Sequence, residues 1–285
     1  MIGYLLYRIG EWLALSVPLK TAYKVAVFFS KVHYPFAFAD RSAVTRNLKI
    51  IFPEKSGKEI YAIRRMVFCN FAKYLADFLR FKKVDMEYIK KNIRLKGLEN
   101  IDDGLKAGKG VILVTAHFGN WELGGGILAM LGIPLISVAL PHKAASVNRF
   151  FDSQRQNKGM RILPLGRAAK GCIRALKENR VLALLGDRDF TGSGKVMDFF
   201  GKPTLLPQGP AALVLQTGAA ILPGFTLRND DDTVTVIIEK PLEYVLSGNK
   251  EEDMRTITAE CKAVFERYIR AYPQQWYMFR RFWKE

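Results

Sequence analysis

Apolar and polar positions change rhythm along this chain. Through residues 42–51 and 57–81, apolar residues recur every three or four positions, which predicts two helices with Pro53 closing the first. Beyond residue 110 the pattern becomes compact apolar runs rich in β-branched residues, at 110–115, 134–140, 161–164, 181–185, 220–227 and 233–239. Such runs predict buried strands of a parallel sheet. Helix-periodic segments at 122–131, 145–158, 168–178 and 209–217 lie between them. The alternation predicts βαβ units, and so an α/β fold with a mainly parallel central sheet flanked by helices. Asp231 and Asp232 mark a hairpin turn between the last two strands, and a long amphipathic helix is predicted over 251–272. An open sheet of this kind places its ligand beyond the carboxyl ends of its strands.

The N-terminus reads differently. Residues 2–19 are strongly apolar, but Arg8 and Glu11 interrupt them; Lys20 and Lys24 follow, then a second apolar stretch at 25–29. A clean span needs about 20 apolar residues, and an arginine at mid-membrane costs about 2.5–3.5 kcal/mol. The expectation is one or two helices lying in a membrane interface, with the lysines at headgroup level. A spanning helix and a pair of ordinary core helices are the alternatives. There is no signal-peptide cleavage pattern, linker, repeat or low-complexity stretch. Residues 1–35 are therefore expected to form a membrane-associating region, and 36–285 one further domain.

Composition narrows the partners. Hydrophobic residues make up 49%, enough for a large core, and 44 Lys+Arg against 27 Asp+Glu give a net charge of +17 spread along the chain. A field of that sign attracts nucleic acid, an anionic bilayer or an acidic protein. No helix-turn-helix, zinc or aromatic RNA-binding signature accompanies it, so nucleic acid is not expected. Cys69, Cys172 and Cys261 are far apart without metal spacing, as expected of buried free thiols in a reducing compartment.

Chemistry concentrates at residues 114–123, Val-Thr-Ala-His-Phe-Gly-Asn-Trp-Glu-Leu. His117 leaves a strand at its carboxyl end, Gly119 permits a sharp bend, and Glu122 falls on the first turn of the next helix. That corner is expected to bring the Glu122 carboxylate to one imidazole nitrogen, leaving the other to take a proton from a hydroxyl. The amides around Gly119 and Asn120 are candidates for holding an oxyanion or phosphate, with capping of the helix as the alternative role for Asn120. No second His or Cys lies at ligand spacing, so no metal is expected. Asp187, Arg188 and Asp189 follow a buried strand and so reach the same edge, as candidates to bind a ligand's hydroxyls or phosphate or to form a salt-bridged loop. Arg149, Arg155 and Arg167 are candidate phosphate clamps, since guanidinium makes two-pronged contacts. Residues 191–195, Thr-Gly-Ser-Gly-Lys, fail the phosphate-loop pattern because Val196 follows the lysine. His142 has no acidic neighbour at useful spacing and reads as a surface histidine. The aromatic and basic tail at 276–284 suits a bilayer interface or a cover for the core.

His-Phe-Gly-Asn-Trp-Glu, residues 117–122, resembles the His-four-spacer-acid motif of the bacterial lipid A biosynthesis acyltransferases, within the lysophospholipid acyltransferase superfamily. Further segments agree in order: Arg41 to Leu48 with Phe52-Pro53, Gly186-Asp-Arg-Asp with Asp198-Phe-Phe-Gly201, and Gln275-Trp276 with Arg280-Arg281. The likeness runs from about residue 5 to the end. It implies transfer of a fatty acyl group from an acyl carrier protein or coenzyme A thioester to a hydroxyl of an anionic lipid A precursor. It implies His117 as base, Glu122 as its partner and no metal or redox cofactor. The implied place of work is the cytoplasmic face of a bacterial inner membrane. The chain departs from the family in having Met278 and Phe279 where a His usually follows Gln-Trp. It also lacks the Glu-Gly-Thr-Arg block of glycerol-phosphate acyltransferases. Its Gly-Asp-Arg-Asp loop is also similar to that of the phosphatidylinositol mannoside acyltransferases, which keeps that acceptor or another glycolipid open behind the lipid A precursor.

Overall fold

The structure is a computed structural model that describes residues 2–190 and 192–283, the side chains of Ile2 and Arg167 excepted. Helices come first: α1 (Ile2–Ser16), α2 (Leu19–His33), α3 (Phe38–Ile51), α4 (Gly57–Leu79) and α5 (Met86–Asn92). Strand β1 (Ile93–Lys96) and α6 (Glu99–Leu105) lead into β2 (Val111–Thr115), α7 (Trp121–Met130), β3 (Leu135–Ala139) and α8 (Ala145–Gln156). Then come β4 (Arg161–Pro164), α9 (Ala168–Lys177), β5 (Val181–Leu185) and a hairpin of β6 (Lys195–Phe199) and β7 (Lys202–Leu206). The chain ends with α10 (Gly209–Thr217), β8 (Ala220–Arg228), β9 (Val234–Ile238) and α11 (Lys250–Ala271).

Among the described residues, seven strands form one sheet in the order β1-β9-β8-β2-β5-β3-β4, with the hairpin apart from it. Every neighbouring pair is parallel except β8–β9. The expected α/β sheet flanked by helices is present. Its central strands are covered on both faces: Ile112, Leu182 and Leu222 are all fully buried. That two-sided burial is why these strands read as continuous apolar runs. Asp232 takes a positive φ of 66° in the turn joining β8 to β9, where the hairpin was expected. Strand β1, helices α5 and α6, and the β6–β7 hairpin were not predicted by the apolar pattern. In β1 the residues after Ile93 are exposed, so no compact apolar run announces it.

The aromatic tail covers the core. Trp276, Tyr277, Met278 and Trp283 are buried, and the Trp283 indole donates to the Phe199 carbonyl at 3.1 Å. Cys172 and Cys261 are buried as expected, whereas Cys69 is half-buried; all three are free thiols.

Glu11, which breaks the apolar run of α1, points inward. It is 3% exposed, accepts a hydrogen bond from Gln154 of α8 at 2.7 Å, and pairs with Arg8 at 2.5 Å and Lys82 at 3.0 Å. A carboxylate buried so deeply is tolerable because each oxygen has a partner. The outer face is different: Leu6, Trp12, Phe28 and Phe29 are each at least 60% exposed. Among the described residues, no helix is long and apolar enough to cross a membrane.

Candidate active site

Thr115 pairs with Leu185 across the parallel β2–β5 ladder, so His117 and Asp187 leave the sheet at the same offset, on adjacent strands. Adjacent strands lie about 4.8 Å apart, within reach for two short side chains. The His117 Nδ1 and Asp187 Oδ1 are 2.7 Å apart. The other oxygen, Oδ2, accepts the His117 backbone amide at 3.0 Å and the Trp276 indole N–H at 3.1 Å. Asp187 is wholly buried, while the His117 side chain keeps 14% of its surface exposed. Trp121 and Phe190 flank the imidazole, with ring centroids 5.4 and 5.9 Å away.

Burial alone would raise the Asp187 carboxyl. The charge of His117, the two hydrogen bonds from that residue and the one from Trp276 outweigh it, and the pKa lies below the ordinary carboxylate value. A fixed carboxylate on Nδ1 sets the tautomer, stabilises the imidazolium and leaves Nε2 to accept a proton.

The loop carrying His117 is held by backbone contacts. The Tyr277 amide donates to the His117 carbonyl at 2.9 Å, and the Gly119 amide donates to the Gln275 carbonyl at 2.8 Å. Gly119 has φ +61°, and a Cβ there would sit 1.9 Å from the Thr226 carbonyl oxygen, so this bend requires glycine.

Several expectations need correction. Glu122 does not supply the carboxylate on the imidazole. Its Oε1 and Oε2 accept from Arg155 Nη2 at 2.6 Å and Nε at 2.9 Å, because the start of α7 turns Glu122 toward α8. Arg155 is thereby a structural partner rather than a free phosphate clamp; its Nη1 also faces Asp152 at 3.4 Å. Burial would lower the Arg155 pKa, but Glu122 more than compensates and raises it. The amides of Gly119 and Asn120 are not available to an oxyanion, since the first is spent on Gln275 and the second on Thr226 at 2.8 Å. Asn120 instead caps α7, accepting the Leu123 amide at 3.1 Å.

Arg149 is exposed on α8, and no contact ties it to His117. Arg167 ends a single turn at Leu165–Arg167, and its side chain lies outside the described residues, as does Thr191 of the loop at 191–195. Asp189 accepts the Gly194 amide at 2.9 Å and so shapes its loop. Arg188 holds its guanidinium 4.5 Å over the ring of Phe190, which flanks the imidazole. Burial and then the charge of Arg280 lower its pKa, outweighing the opposing charge of Asp187.

A second buried cluster escaped the sequence reading. Asp77 of α4 accepts from the Tyr23 hydroxyl, from Arg228 and, at 2.7 Å, from the Asn120 amide nitrogen. It therefore ties α2, β8 and the cap of α7 together. An acidic residue among apolar neighbours at 75–79 was the available signal.

A carboxylate-fixed imidazole at the open edge of a parallel α/β sheet, with no partner on Nε2 among the described residues, has the geometry that a general base needs. The chain belongs to the family described as bacterial lipid A biosynthesis acyltransferase, whose sequence profile matches residues 1–285, and it is an acyltransferase. It is similar to the phosphatidylinositol mannoside acyltransferase of Mycolicibacterium smegmatis, 27% identical over 97% of this chain and 90% of that one. A protein of the same name from Mycobacterium tuberculosis is 30% identical over 75% of this chain and 68% of its own. The lipid A biosynthesis lauroyltransferase of Escherichia coli is 27% identical over 95% of this chain and 88% of its own.

Proposed function

We propose that this acyltransferase moves a fatty acyl group from an acyl thioester to a sugar hydroxyl of a phosphate-bearing glycolipid, with His117 as general base and Asp187 as its fixed partner. The His117–Asp187 contact of 2.7 Å at the open sheet edge carries the reading. The imidazole Nε2 removes the hydroxyl proton as the oxygen attacks the thioester carbonyl. The tetrahedral intermediate collapses with loss of the carbon–sulfur bond, and the thiolate leaves with the proton returned by the imidazolium. An acyl-enzyme is not needed. The Cys172 and Cys261 thiols are pushed up by burial to about 11 and about 12, which keeps them protonated and poorly nucleophilic at neutral pH.

The acceptor in this reading is a lipid A precursor or a phosphatidylinositol mannoside, both of which join sugar hydroxyls to phosphate. The mannoside is favoured by the 30% identity with the Mycobacterium tuberculosis relative. The donor is an acyl carrier protein or coenzyme A thioester, and the charge of +17 suits docking of an acidic carrier. The exposed apolar residues of α1 and α2, with Lys20 and Lys24 beside them, support residence at a membrane surface. We place that surface at the cytoplasmic face of a bacterial inner membrane. Mass spectrometry of membrane lipids from cells with and without the protein tests the assignment. A glycolipid lacking one acyl chain in the deletion names the acceptor and chain length; an unchanged lipid profile contradicts it.

A further inference from the structure

The corner between α1 and α2 forms one wall of a cleft of about 380 Å³, closed on the other side by the end of α4 and by α5. Clefts of this size suit a small ligand or a lipid headgroup. Four cations line it, Lys20, Arg80, Lys83 and Lys91, against one carboxylate, Asp77. Asp77 is already neutralised by Arg228, so the surplus charge of the cleft is positive.

The cations divide into two pairs. Arg80 donates to the carbonyls of Ala14 and Val17, the latter at 2.7 Å, and Lys83 donates to the Leu15 carbonyl at 2.6 Å. These two cap the negative end of α1 and fix the corner to the body of the protein. Lys20 and Lys91 are exposed and make no ion pair among the described residues. Between the cations the walls carry apolar surface from Pro18, Leu19 and Val84 beside Tyr88 and Asn92, a mixture that matches an amphiphile better than a free inorganic ion. One wall of the cleft is thus the corner joining α1 and α2, the two helices whose outer faces carry Trp12, Phe28 and Phe29 in the open.

We infer that this cleft binds the phosphodiester headgroup of an anionic bilayer lipid, separately from the acceptor at His117. The inference rests on the membrane-surface reading above. The bound headgroup holds the α1–α2 corner at the bilayer while the apolar faces of both helices enter the interface. Charge–surface attraction contributes about 1 kcal/mol per lysine near an anionic membrane. Removing both unpaired lysines is therefore expected to cost roughly thirtyfold in affinity.

The test is flotation of the full-length protein with phosphatidylcholine vesicles and with vesicles also containing phosphatidylglycerol. Three proteins are compared: the natural chain, Lys20→Gln/Lys91→Gln, and Lys170→Gln/Lys177→Gln on the exposed face of α9, which removes the same charge elsewhere. The natural chain is expected to bind both vesicles and to prefer the anionic ones. The cleft variant is expected to lose that preference roughly thirtyfold yet keep its binding to neutral vesicles, while the α9 variant keeps both. Equal loss in the two variants overturns the proposal in favour of diffuse attraction. Retained preference in the cleft variant, with a raised KM for detergent-dispersed acceptor, also overturns it, because the cleft is then an acceptor subsite. Failure of the natural chain to bind either vesicle overturns the membrane reading itself, and the cleft assignment falls with it.

Discussion

Glu122 and Arg155 face each other across the gap between α7 and α8, joined by two hydrogen bonds of 2.6 and 2.9 Å and both almost wholly buried. Glu122 is the acid of the sequence motif, yet its carboxylate fixes α8 while Asp187 fixes the imidazole. Glu122→Ala leaves a buried guanidinium with only the longer Asp152 contact, and loss of one partner from such a pair costs about 3–5 kcal/mol. The expected result is a large loss of stability in urea unfolding, with much of it recovered in Glu122→Met/Arg155→Met. Catalytic loss in Glu122→Ala without any loss of stability would contradict this assignment.

Asp187→Asn is expected to lower kcat by about 10²–10⁴-fold, up to the loss on removing His117 itself, because the carboxylate acts by setting the tautomer of the base. Steady-state kinetics on purified protein measures it, and a loss below tenfold contradicts the pairing.

The same carboxyl makes stability depend on acid. Its pKa is lower in the fold than the value of about 3.9 for a free aspartate. The stabilisation is therefore fully present above pH 4 or so and disappears as the pH falls through the depressed folded value. The difference in unfolding free energy between the natural chain and Asp187→Asn is expected to shrink as the pH falls below about 4. A difference independent of pH down to 2 contradicts it.

How much of this was legible beforehand depends on how local the signal is. The strands at Arg161–Pro164 and Val181–Leu185 and the position of His117 at a strand end follow from apolar runs between turns. The partner of His117 does not, because it depends on β5 lying beside β2 in register, a relation between residues 70 apart in sequence. Asp187 was recognised as reaching the right edge, but strand order is a tertiary property that no local spacing contains. Glu122, at a suggestive spacing, was the tempting choice; the direction in which a helix begins decides where such a side chain goes. Trp276 and Gln275 were visible as a motif, while their work as supports of the His117 loop emerges from the fold.

Asp77 and Arg228 give a further expectation. Asp77→Ala leaves Arg228 buried without its main partner and removes acceptors from Tyr23 and Asn120, so a loss of about 3–5 kcal/mol is expected. Tyr23→Phe, which removes one of several donors, is expected to cost about 1 kcal/mol. Calorimetric melting of both variants ranks them, and a larger cost for Tyr23→Phe would contradict the described network.

The proposed mechanism depends on a proton leaving the acceptor hydroxyl for His117 Nε2, held ready by Asp187. The direct measurement is the rate of acyl transfer by purified His117→Ala with a fatty acyl thioester and detergent-dispersed glycolipid acceptor, beside circular dichroism to check the fold. Loss of a general base predicts a fall of about 10²–10⁴-fold with the fold intact. Turnover within a few-fold of the natural protein would contradict the account.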